Sequence, residues 1–175
     1  MMAKSDSWTS VKMAPDPRTG SLAVALLRIT IGVIFLVTFF DNLDKDLYTA
    51  DGFEGFIVFL FDENGNGSSL TFYESIVDAV IVPAAGPYVV FQAIVELALA
   101  IALIIGLATR LASLVSMLFF ANLFLAYFGG AEWIWIYVLL FMSALTVFLG
   151  YGGRQLGVDQ YLVRSRGESK YNLIW

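Results

Sequence analysis

Four stretches of this chain, 22–40, 88–107, 111–128 and 133–150, are apolar over a length that suits a bilayer. At about 1.5 Å rise per residue, some 20 apolar residues cross the roughly 30 Å hydrocarbon core, and each span must satisfy its own backbone polar groups as a helix. The expected fold is therefore an all-α integral membrane protein, a four-transmembrane-helix bundle. Composition agrees: 59% of the residues are hydrophobic and 14% are charged, against about 25% charged in soluble domains. The chain contains neither cysteine nor histidine. That removes thiol catalysis, iron-sulfur ligation and the usual axial ligand of haem, so redox chemistry would have to come from a partner or a bound group.

The expected organisation is a cytoplasmic N-terminal tail over 1–21, a membrane domain over 22–162 with an outer insert at 41–86, and a C-terminal tail over 163–175. Orientation follows from the basic residues, which concentrate on cytoplasmic flanks. Lys4, Lys12 and Arg18 precede the first span, Arg110 lies between the second and third, and Arg154, Arg164, Arg166 and Lys170 follow the fourth. The opposite side carries only Lys45. A multi-pass protein of the cell membrane with both termini cytoplasmic is expected. The insert holds most of the acidic residues behind the net charge of -5, and a chain without a basic patch is not expected to bind nucleic acid.

Within the insert, 53–61 (FEGFIVFLF) is apolar but too short to cross, which suggests an interfacial or re-entrant helix. Residues 71–82 have helical periodicity, with Phe72, Ile76 and Val80 beside Tyr73 and Val77, and with Glu74 and Asp78 on a wetter face. Pro83 and Gly86 are expected to end that helix before the second span. A lid on the outer end of the bundle is the expected role; a partner-docking surface is the alternative. Residues 62–67 (DENGNG) match the first six positions of a calcium loop, with Asp62, Asn64 and Asn66 as candidate ligands. The twelfth position is Tyr73, however, and Glu74 comes one place late, so a plain Asn-Gly turn competes with calcium.

Polar residues inside the spans are few. Glu96 stands near the middle of the second span, where a charge costs on the order of 2.5 to 3.5 kcal/mol on insertion scales. Helix counting puts Glu96, Asn122, Ser143 and Thr146 at similar depths on three helices, and packing is expected to bring them into one polar cluster. Arg28 is a candidate counter-ion for Glu96. The two side chains lean in opposite directions, so the alternative is that Arg28 snorkels to headgroups while a neutral Glu96 bonds to Asn122 or a hydroxyl. Tyr127, Phe128, Trp133, Trp135 and Tyr137 read as an interfacial aromatic belt, or as one wall of an apolar ligand pocket.

The runs ELALAIALIIGLATR (96–110) and GYGGRQLGVD (150–159), together with an opening helix bearing Arg28 and Gly32, resemble the DoxX/DoxD family of small four-helix membrane proteins. The likeness covers most of 22–162. That family includes the small subunit of thiosulfate:quinone oxidoreductase. The resemblance implies a non-catalytic membrane subunit that scaffolds or anchors an electron-transfer complex, with other membrane subunits and lipid as partners. Its alternative is a quinone-reducing subunit with the quinone near Arg28 and Glu96. Quinone or lipid is the implied ligand, and no covalently bound cofactor is implied. Members typically follow the first helix with glycine and lysine, whereas this chain has Asp41 to Lys45 there and a long insert.

Overall fold

A computed structural model describes residues 21–61 and 67–167, and these are helical with no strand among them. Helix α1 (Leu22–Asp44) begins at Ser21, whose hydroxyl accepts the amide of Val24 at 3.2 Å, a side-chain cap for an otherwise unpaired donor. It runs four residues past the apolar stretch and so carries Asn42 within its last turn. Helix α2 (Ala50–Leu60) is capped in the same way by Thr49 and buries Phe53, Ile57 and Leu60. It packs against the second long helix.

That second helix differs from expectation at its start. Pro83 and Gly86 do not end the helix at 71–82. Helix α3 (Thr71–Ile76) passes through a π turn (Val77–Ile81) and a 3-10 turn (Val82–Ala84) straight into α4 (Ala85–Ile105), giving one continuous rod, Thr71–Ile105. Pro83 lies at the start of the 3-10 turn, where a missing N–H is tolerated, and the widened turn before it absorbs the clash of its ring. The buried stripe is also narrower than the periodicity suggests. Tyr73 and Val77 face the protein, whereas Phe72, Ile76 and Val80 are exposed.

Helix α5 (Thr109–Ala126) follows a tight turn, and α6 (Trp135–Leu149) returns beside it. Three helices, Leu22–Asp44, Thr71–Ile105 and Thr109–Ala126, are long and apolar enough to cross a membrane. The fourth expected span is shorter than its apolar stretch: α6 has 15 residues, about 22 Å of helix. Helix α7 (Val158–Arg166) closes the described chain.

The helices pack in pairs, α1 along α4 and α5 along α6, with α1 also against α6. Gly32 makes the first pair possible, because a Cβ there would sit 2.9 Å from the backbone nitrogen of Ile104. Ile31, Phe35, Leu99, Leu103, Phe120 and Val147 form the central core. A second core at the insert end joins Phe53, Ile57, Leu60, Tyr73, Val77, Val89 and Ala126. Large apolar side chains such as Val37, Phe91, Ile94, Leu118 and Leu139 point outward from the helices. Inside-out exposure of this kind suits a lipid solvent.

Candidate functional site: a carboxylate-backed cavity at the insert end

Between the two cores lies a cavity of about 760 Å³, within the size range of small-molecule and cofactor sites. Phe35 and Phe120 come to its wall from the central core, and Phe53, Ile57, Leu60 and Tyr73 come from the insert core. Phe35 and Phe120 stack with centroids 5.3 Å apart. Tyr127 and Tyr137 stack at 5.6 Å and also line the cavity, while Trp133 and Trp135 are exposed. The expected belt is thus divided, its tyrosines forming a pocket wall and its tryptophans facing outward.

Glu96 borders this cavity and is fully buried. Three donors converge on its carboxyl. Asn42 Nδ2 donates to Oε2 at 3.0 Å, Tyr48 OH donates to the same oxygen, and Gln92 Nε2 donates to Oε1 at 3.0 Å. The groups come from the end of α1, the turn after it and α4 itself. Each of these bonds stabilises by about 0.5 to 3 kcal/mol, which offsets part of the cost of holding a carboxyl group at this depth. Burial first, and then the hydrogen bond to Glu96, push the Tyr48 phenol above its usual range, so Tyr48 remains a donor.

The expected polar cluster does not form. Asn122 lines the same cavity, but its Oδ1 accepts from Tyr73 OH at 3.1 Å rather than meeting Glu96. Ser143 donates to Leu139 O at 2.7 Å and Thr146 donates to Met142 O at 2.8 Å, both within their own helix. A hydroxyl in an apolar helix satisfies itself on the carbonyl one turn back, so equal depth does not make it a partner for its neighbours.

Arg28 neither meets Glu96 nor reaches headgroups. It is fully buried near the opposite end of α1, where Nη2 donates to Leu156 O at 2.9 Å. Its guanidinium lies against Gly106, the left-handed residue (φ 71°) that ends α4; a Cβ at Gly106 would fall 1.5 Å from Nη1. Asp159 acts on Arg28 electrostatically and accepts the amides of Ala108 at 2.8 Å and Thr109 at 2.9 Å, capping α5 from a distant part of the chain. Arg28, Gly106 and Asp159 therefore tie α1, the α4–α5 turn and α7 together, and they are structural.

Asn42, Tyr48 and Gln92 were not legible as partners of Glu96, with one exception. Gln92 lies one helical turn before Glu96, and that spacing is a readable signal. Of the calcium candidates, Asp62, Asn64 and Asn66 lie outside the described residues. Glu74 is a half-buried residue of α3. Among the described residues no group of three or more acidic side chains could hold a metal ion.

Residues 23–129, which run from the start of α1 past the end of α5 and include the whole Glu96 site, match the DoxX family. The chain belongs to the DoxX family. No curated protein and no solved structure matches it. The matched stretch holds the cavity walls contributed by α1 to α5, while α6 and the Gly150 to Asp159 run lie beyond it. Family membership and the apolar helices together make this DoxX protein a multi-pass membrane protein.

Proposed function

We propose that this DoxX protein is a non-catalytic subunit of an electron-transfer assembly in the cell membrane, and that its insert-end cavity holds a quinone-type ligand. The observation that carries the reading is the cavity itself: an aromatic, apolar chamber of about 760 Å³ among lipid-facing helices, with a hydrogen-bonded carboxylate behind one end. An apolar ring with polar edges and an isoprenoid tail suits such a chamber, since the walls bury the ring and a few polar groups orient it. The chain has no cysteine or histidine to carry electrons, so the partner subunits would supply the redox centres. Orientation in this reading follows the basic residues. Arg110, Arg154, Arg164 and Arg166 gather at the end away from the insert, which supports cytoplasmic termini and a cavity in the outer half of the bilayer.

Extraction from native membranes in mild detergent tests both halves of the proposal. Mass spectrometry should find other membrane subunits co-purifying, and organic extraction should release a quinone in near-stoichiometric amount. Leu123→Trp, which fills cavity space with an indole, should deplete the quinone without loss of the fold. Recovery of a lone chain carrying only bulk phospholipid would refute the proposal.

A further inference from the structure

Glu96 borders the cavity but is sealed from solvent by its own partners, so it acts on a ligand through them. Gln92 and Asn42 both turn their amide nitrogens to the carboxyl, at 3.0 Å each. A carboxamide is planar, with its oxygen on the side away from its nitrogen, so both carbonyl oxygens turn away from Glu96. Neither oxygen has a partner among the described residues, and both side chains are half-buried and line the cavity. Tyr48 is fixed as a donor to Glu96 as well. The two carboxamides therefore present hydrogen-bond acceptors to this end of the cavity, where Lys45 also lines the wall but is paired with Asp41 and Tyr88 adds a phenol. Asn122 is set the other way: Tyr73 occupies its Oδ1, which leaves the Nδ2 amide as an unspent donor.

We infer that Glu96 is a positioning residue that makes the cavity selective for a reduced, hydroxyl-bearing ring, a quinol, over the oxidised quinone. The inference rests on the quinone-type ligand proposed above. A quinol hydroxyl donates to the Gln92 or Asn42 carbonyl, and its other oxygen accepts from Asn122. A quinone has acceptors alone, so it meets Asn122 well but sets lone pairs against lone pairs at the Gln92 and Asn42 end. An unmatched polar contact of that kind is worth on the order of tenfold in affinity.

The test is anaerobic titration of the purified, detergent-solubilised protein with a short-chain benzoquinone and, separately, with its quinol, following tyrosine and tryptophan fluorescence. The wild type should bind the quinol at least about tenfold more tightly. Glu96→Gln replaces one of the two carboxyl oxygens with an amide that can donate to either Gln92 or Asn42, which frees that one side chain to turn a donor toward the cavity. It should lower the quinol preference severalfold while raising affinity for the quinone, a crossed change that simple loosening of the fold does not produce. Equal binding of both forms by the wild type, or tighter binding of the quinone, overturns the selectivity and leaves the proposed ligand class standing. Binding of neither form overturns both.

Discussion

Arg28 and Glu96 are fully buried polar side chains on packed neighbouring helices, yet each is held by groups from elsewhere in the chain. Losing the Gln92 bond leaves Glu96 Oε1 without a partner in an apolar setting, which costs about 1 to 3 kcal/mol, whereas Oε2 keeps one donor if either Asn42 or Tyr48 is lost. Asp159, the acid nearest Arg28 in effect, yields a pH prediction. Burial pushes its carboxyl above the ordinary 3.8, with the amides of Thr109 and Ala108 and the charge of Arg28 opposing. The folded protein then keeps this proton at pH values where the unfolded chain has lost it. Stability should accordingly fall as pH rises from 3.8 through the raised value. Asp159→Asn should abolish that slope in thermal melts, and an unchanged slope would assign it to another group.

Among the elements, α2 decides whether the cavity has a roof. Its aromatic run was readable as a helix too short to cross, but sequence could not say which side would be buried. Val58 and Phe59 are exposed, whereas Phe53, Ile57 and Leu60 are inside. The choice is made by α4, because α2 packs where Val89 and Ala85 complete the insert core. Leu60→Ala should destabilise this core by about 2 to 5 kcal/mol, the range for a leucine truncated in a packed interior. The expected readout is a lowered melting temperature together with a reduced quinone content on extraction; full retention of the quinone would show that α2 does not close the site. The continuous rod from α3 to α4 teaches a related lesson. Pro83 reads as a stop in sequence, but a preceding π turn makes room for its ring, and no local signal marks that turn.

At the scale of the whole molecule, two cores meet across one cavity, and they should not be equally stable. The central core is built from long helices packed along their length, while the insert core hangs on α2 and the segment before α4. Hydrogen exchange in detergent should therefore show faster exchange over α2 and 71–84 than over Leu99 to Leu103. Uniform protection would mean a single cooperative unit. The sequence by itself determined the membrane class, the helical fold and the position of the long apolar helices, because lipid allows a spanning backbone few alternatives. It also marked Glu96 as a residue needing partners. Only the tertiary structure decided who they are. The partners Asn42 and Tyr48 lie far from Glu96 in sequence, and they reach it because α1 extends to Asp44 and the turn after it folds back over α4. Depth counting assigned Ser143 and Thr146 to the same cluster, but it carries no information about side-chain direction, and each hydroxyl bonds within its own helix. The cavity, like the partnership, arises from how helices meet, which periodicity in one helix does not encode.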